Sequence, residues 1–319
     1  VKTASIHRIE RRKLTALLSA EVIAQLLQGA ARTSQAGPPR QVHAAPAPSI
    51  PPEARKPAAE TLPPWESLPP TPALPEQART GFAAVDGARI FYAEFGEGRP
   101  VVFVHGGLAN ANYWGRQLDD IGNDHRVVAI DLRGHGRSTR SDERLTYARF
   151  SADVIGVMDH LKLPNAAIVG WSDGAIVGLD LAMRHRDRVG GLFAFAANFT
   201  RDGAIGAGNQ SRVFVQYTRR CAAEYAKLSP QPKEYPQFLS AMRAMWDSEP
   251  NYTRSELSAI TTRTWVVDGE HDEIISRAHT QELAAAIPQS SLVIEPAVSH
   301  FALLQNPQRF TQDVRAFLA

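Results

Sequence analysis

The chain is short of the features that would give a quick functional assignment. One cysteine, Cys221, stands among 319 residues, which excludes an intrachain disulfide and any cysteine-based metal cluster. The 35 Lys/Arg and 33 Asp/Glu residues leave a net charge of only +2, without the basic excess that marks a nucleic-acid binder. No uninterrupted apolar run reaches the roughly 18–20 residues of a membrane span, so neither a nucleic-acid partner nor a membrane span is expected. No internal repeat is visible. What is present is 44% hydrophobic residues. A globular part of about 240 residues with that content buries roughly three quarters of the surface its unfolded chain exposes.

The first 78 residues differ from the rest. Thirteen of the 22 prolines lie between Gly37 and Pro75, and such a segment is expected to stay extended and form no packed core. Nine Lys/Arg and six Asp/Glu fall within residues 1–78, so the remaining 26 basic and 27 acidic residues leave a body of net charge −1. Ahead of the prolines, Arg8, Arg11, Arg12 and Lys13 precede the apolar stretch Leu14–Ala31. This has the order of a secretory signal, with a twin-arginine pair and small-residue cleavage sites after Ala36 or Ala44. Glu21, Gln25 and Gln28 interrupt the stretch, which equally fits a dispensable N-terminal extension. The first reading predicts a secreted or periplasmic protein, the second a cytoplasmic one. The expected organisation is therefore residues 1–36 as signal or extension, 37–78 as a Pro-rich disordered linker, and 79–319 as the folded domain.

From Phe82 the pattern is regular. Phe82–Val85 and Ala88–Phe95 flank an Asp86-Gly87 hairpin turn. Apolar strands are expected at Val101–Val104, Arg126–Ile130, Ala166–Val169, Val189–Ala196, Thr264–Val267 and Ser291–Ile294. Helices are expected from about Tyr113, over Tyr147–Lys162, Ala175–Arg184 and Ser276–Ile287, and over Pro307–Leu318. This alternation predicts an α/β fold, a mostly parallel sheet with helices on both faces. It pauses over about 199–259, a helical stretch carrying Phe214, Tyr217, Phe238, Met242, Met245 and Trp246. That length predicts an inserted helical cap, with most of these side chains forming the cap's own core and some facing substrate.

The segment Gly170-Trp171-Ser172-Asp173-Gly174 sits between an apolar strand and a helix. That is the context of the G-x-S-x-G nucleophile elbow. A serine on such a turn takes a strained backbone conformation, and its hydroxyl stands near the amides of a helix N-terminus. Catalytic partners in open α/β sheets lie at the C-terminal ends of strands. His300, in Pro296-Ala-Val-Ser-His300, meets that rule and is the favoured base. His105 is expected to orient its Gly-Gly loop, His135 to be structural, and His271 and His279 to lie on the surface side. For the acid, Asp272 is favoured and Asp268, nearer the strand end, competes. The order Ser172, Asp272, His300 makes Ser172 the nucleophile, His300 its base and Asp272 the residue that fixes the imidazole tautomer. Backbone N–H groups of Gly107 and Asp173 are the expected oxyanion donors. The Asp173 side chain is expected to cap the following helix. Leu108, Trp171 and Trp246 are expected at the substrate pocket. No metal or cofactor is required.

Together, His105-Gly-Gly, Asp131-Leu-Arg-Gly-His-Gly-Arg-Ser138, the elbow, Gly269-Glu-His-Asp272 and Ser299-His300 make residues from about Phe82 to Ala319 resemble the α/β-hydrolase superfamily. The resemblance implies that the Asp131 loop is structural. Trp171-Ser-Asp-Gly174 resembles the elbow of valacyclovir-hydrolase-like esterases, and a serine there differs from the aspartate of the haloalkane dehalogenase and epoxide hydrolase branches. Ser299 departs from the glycine that commonly precedes the histidine. The expected activity is hydrolysis of a small carboxylic ester through an acyl-enzyme. The same triad also suits cleavage of a C–C bond beside a ketone, a lactone or an amide. A non-catalytic binding protein on this fold is a third reading, though it would have no need of serine, acid, base and oxyanion loop together.

Overall fold

Strands with apolar residues on both faces build the middle of the molecule. In β3 (Arg99–Val104) and β5 (Ala166–Trp171) every side chain but those of Arg99, Pro100 and Ala167 is buried, each large apolar one contributing roughly 1.5–3 kcal/mol. A computed structural model describes residues 62–206 and 210–319; the expectations for residues 1–36 and for 37–61 of the linker lie outside the described residues. Eight strands form one sheet in the order β1 (Arg79–Val85), β2 (Ala88–Phe95), β4 (His125–Ile130), β3, β5, β6 (Val189–Phe195), β7 (Thr264–Gly269) and β8 (Ser290–Glu295). β1 and β2 make the expected antiparallel hairpin, and β2 joins β4 antiparallel. All further pairings are parallel.

The chain leaves β3 for β4 on one side and later returns to place β5 on the other. The strand order reverses at β3, which is where open α/β sheets form their crevice. Pairing of Val104 with Gly170 and of Trp171 with Phe195 sets the loops after β3, β5 and β6 side by side.

Helices begin where local caps allow. The Thr146 side chain caps α2 (Tyr147–His160) after α1 (Gly115–Ile121), and α3 (Asp173–Arg184) follows the elbow directly. α2 buries Phe150, Val154 and Val157 on one face, as the spacing predicts. The insertion between β6 and β7 holds α4 (Arg212–Leu228), α5 (Tyr235–Trp246) and α6 (Arg254–Ser258). In α4, Val213, Tyr217, Cys221 and Tyr225 recur every fourth residue and are buried. Phe238, Met242 and Met245 of α5 are buried too, and with the α4 residues they join the one hydrophobic core of the domain instead of forming a separate core of the cap. α7 (Arg277–Ala286), the short α8 (Ala302–Gln305) and α9 (Pro307–Leu318) complete the domain. Among the described residues no helix is long and apolar enough to cross a membrane.

Residues 62–78 differ from the expectation of a disordered linker. Leu68 is buried in the core, and the Arg220 guanidinium of α4 donates to the carbonyls of Leu68 and Pro69. Proline-rich composition limits what a segment can fold into by itself, but not what it can pack against.

The Asp131 loop is anchored as the resemblance implies. Asp131 accepts from the backbone N–H groups of Ala111 and Arg137 at 2.6 and 2.7 Å. Beside it, Arg133 is wholly buried, pairs with both oxygens of Asp153 at 2.6 and 2.8 Å, and also donates to the carbonyls of Val85 and Asp86. Removing one member of such a pair leaves an uncompensated charge in the interior. Asp153→Ala is therefore expected to cost about 3–5 kcal/mol in urea denaturation, and a loss below about 1 kcal/mol would contradict the pairing.

Candidate active site

The elbow is strained as its position requires. Ser172 has φ 54° and ψ −120°, a conformation that costs roughly 1–3 kcal/mol in a non-glycine residue. The two glycines of the motif are needed for space. A Cβ on Gly174 would stand 2.0 Å from the Val104 carbonyl oxygen, and one on Gly170 would stand 2.4 Å from the Gly174 oxygen. Asp173 is the first residue of α3, so its N–H has no intrahelical partner and points out at the helix N-terminus.

The loop after β3 approaches from the neighbouring strand. A Cβ on Gly106 would lie 3.1 Å from the Ser172 Cβ, and one on Gly107 would lie 2.6 Å from Asp173 Oδ2. His105 fixes this loop. Its Nε2 accepts from the Leu132 N–H at 3.0 Å and its Nδ1 donates to the Gly106 carbonyl at 2.8 Å, an arrangement that leaves neither nitrogen for catalysis. Burial lowers its pKa. Leu108 is buried, with a left-handed φ of 67° that turns the chain.

His300 follows β8 and is almost fully buried. Its Nδ1 donates to Asp272 Oδ2 at 2.8 Å, and Asp272 Oδ1 accepts from the N–H groups of Ile274 and Ile275 at 2.7 and 2.8 Å. Asp268 does not reach the histidine. It accepts from Thr280 Oγ1 at 2.5 Å and from the Gly269 N–H at 2.9 Å. Burial, then the neighbouring Asp272 carboxylate, raises Asp268 well above the carboxylate range. Burial raises Asp272 to about 7, against the hydrogen bonds from Asp268, Ile275 and Ile274. Burial also lowers His300, opposed by Glu273, Asp268 and Asp173. The Ser172 hydroxyl makes no hydrogen bond to His300 in this conformation; such contacts often tighten only around substrate.

Several residues differ from expectation. The Asp173 side chain does not cap α3. It is buried and accepts from Tyr147 Oη at 2.9 Å and from Trp246 Nε1 at 2.8 Å. Burial raises it to about 6, against those two hydrogen bonds and the His300 charge. Trp171 is buried among Tyr113, Tyr217 and Phe301, where its indole N–H holds the His300 carbonyl at 2.8 Å. It supports the base loop rather than forming an open pocket wall. Trp246 is only partly buried and reaches the elbow from the cap. His279 is buried instead of lying at the surface, and its Nε2 accepts from the Phe199 N–H at 3.0 Å. His271 is exposed as expected.

Sequence reasoning missed Tyr147 as a site neighbour, and it named Tyr217 only among the cap side chains of which some were expected to face substrate. Tyr217 Oη donates to the Gly107 carbonyl at 2.5 Å across 110 residues of chain. Helical periodicity marks Tyr217 as inward-facing, which is the only signal of it in the sequence. Among the described residues no three His, Cys, Asp or Glu side chains group as metal ligands.

This sheet, with a serine on a strained elbow and a histidine–aspartate pair at later strand ends, defines a class. A family model described as "Alpha/beta hydrolase family" matches residues 101–313, and the chain belongs to that family. The chain is 29% identical over 271 residues to a 2-hydroxymuconate semialdehyde hydrolase of Pseudomonas putida, covering 77% of this chain and 95% of that one. A thermophilic esterase from Thermogutta terrifontis superposes with a TM-score of 0.59 at 26% identity, covering 76% of this chain and 98% of that one. A meta-cleavage product hydrolase from Pseudomonas fluorescens superposes with a TM-score of 0.66 at 20% identity, over 75% and 97% of the two chains; at that identity the likeness is one of fold.

Proposed function

We propose that the protein is a serine hydrolase that cleaves small carboxylic esters through an acyl-enzyme on Ser172. The observation that carries this reading is the hydrogen bond from His300 Nδ1 to Asp272 Oδ2, which leaves Nε2 as the free basic atom of a buried imidazole. In this mechanism His300 takes the proton of Ser172 as its oxygen attacks the ester carbonyl. The oxyanion accepts from the N–H groups of Gly107 and Asp173. His300 then gives the proton to the departing alkoxide, and a water activated by the same imidazole releases the acid. Asp272 holds the tautomer and stabilises the imidazolium. The likeness to the Thermogutta terrifontis esterase supports the ester class.

The 2-hydroxymuconate semialdehyde hydrolase relative favours one second reading, hydrolysis of a C–C bond beside a ketone by the same residues. A panel of p-nitrophenyl esters of two to eight acyl carbons, assayed beside a vinylogous diketone, separates the two. Turnover of the diketone at a kcat/KM above that of every ester would overturn the ester reading.

The proposal carries a pH dependence. The active form needs a neutral His300 beside an ionised Asp272, and the pair takes up its extra proton near the value of about 7 set for Asp272 by burial. On a neutral ester, kcat/KM is expected to be level above that pH and to fall about tenfold per unit below it. A stopped pH series checks this; a rate independent of pH between about 5 and 8 would remove the histidine base.

A further inference from the structure

The segment just ahead of the hydrolase body touches the loop of Asp272 directly and reaches the loop of His300 and the loop after β3 through one side chain each. The Trp65 ring stacks on His271, with centroids 4.0 Å apart and planes 17° from parallel, and His271 immediately precedes Asp272. The Gln305 amide binds the segment on one side and the base loop on the other. Its Nε2 donates to the Ser67 carbonyl at 2.9 Å and lies 3.4 Å from the Trp65 carbonyl. The same amide donates to Ser299 Oγ at 3.0 Å and accepts from the Ser299 N–H at 2.7 Å, directly before His300. Ser299 is the residue that departs from the glycine of the resembled family, and its hydroxyl adds a second bond to the one its backbone N–H makes. Towards the cap, Arg220 of α4 donates to the carbonyls of Leu68 and Pro69 at 2.7 and 2.5 Å. Thr71 donates to Glu224 at 2.6 Å, and Glu224 also accepts from Asn110 in the loop after β3 at 3.0 Å.

We propose that residues 65–71 are a positioning brace that, through Gln305 and His271, fixes the Asp272–His300 pair and ties it to the cap and the Gly107 loop. The inference rests on the serine-triad reading. The physical case is that two surface loops hold the acid and the base, and that loops relax unless their backbone groups are tied. The brace adds ties from outside the sheet to the one that Trp171 makes with the His300 carbonyl. An error of about 1 Å in such a pair costs up to about a hundredfold in rate.

The test uses the full chain with Trp65→Ala, Trp65→Phe and Gln305→Leu. Active sites are titrated with a fluorophosphonate, and kcat and KM on a p-nitrophenyl ester are expressed per titrated site. Trp65→Ala and Gln305→Leu are expected to lower per-site kcat about tenfold or more, with KM changed by less than about threefold, while Trp65→Phe keeps the stack and the rate. The brace is overturned if per-site kcat in both variants stays within about twofold of the unaltered chain. It is equally overturned if the loss lies only in KM or only in the fraction of sites titrated, since those results describe a pocket wall or a stabilising strap. Failure of the underlying reading looks different, because the unaltered chain would then not label at Ser172.

Discussion

Ser172→Ala is expected to lower ester turnover by about 10⁶, with a residual rate still about 10³–10⁴ above water. The residue stands at the only position where the chain turns from β5 into α3, in a left-handed conformation. Alanine has the same Cβ in the same strained geometry, so the strain is retained and the fold is expected to be unchanged. Only the nucleophile is lost. The residual rate would come from the Gly107 and Asp173 amides, which still polarise a bound carbonyl for attack by water. Steady-state assay of the purified variant against a p-nitrophenyl ester, with a melting curve alongside, checks both halves. Wild-type turnover in a folded Ser172→Ala protein would sink the acyl-enzyme.

Asp272→Asn is expected to cost about 10⁴ in kcat, and the local hydrogen bonds explain why an isosteric change is so severe. Oδ1 of Asp272 accepts from the Ile274 and Ile275 N–H groups, and Oδ2 accepts from His300. In asparagine the amide oxygen must stay with the two N–H groups, because an NH₂ there would face donors. The NH₂ is then presented to His300 Nδ1, which becomes an acceptor and moves its proton to Nε2. An imidazole protonated at Nε2 cannot take the Ser172 proton. Asp268→Asn is the control. Asp268 makes no hydrogen bond to His300 and is held by Thr280 and the Gly269 N–H, so the tautomer is untouched and a loss of less than about tenfold is expected. Equal losses in the two variants would mean that Asp268 shares the role assigned to Asp272.

Much of this site was legible because its parts are local. Gly170 to Gly174 contains the serine, its space-making glycines and the start of α3 within five consecutive residues. Ser299-His300 and Gly269-Glu-His-Asp272 follow strands that the apolar runs mark by themselves. The fold was legible for the same reason, since strands buried on both faces and singly amphipathic helices leave distinct patterns. What could not be read were side-chain choices between distant elements. Asp173 had every local reason to cap its helix, yet Tyr147 and Trp246 claim both its oxygens. His279 lost its expected surface position because the chain leaving β6 packs over it and uses its nitrogen. The proline-rich stretch concealed docking residues, as Leu68 and Trp65 gain their partners only once α4 and the histidine loop exist. Composition describes a segment's own prospects, and these contacts belong to pairs.

The contacts of Tyr217 with the Gly107 carbonyl and of Trp246 with Asp173 limit how freely this scaffold can be recombined. Caps on such sheets invite exchange as interchangeable modules, with the chemistry below left intact. Here two cap side chains are hydrogen-bonded to the residues proposed to receive the oxyanion, so a transplanted cap would alter the electrophilic pocket as well as the substrate's surroundings. Specificity and rate are thus inherited together in this chain, and a substitution at either aromatic residue alters both.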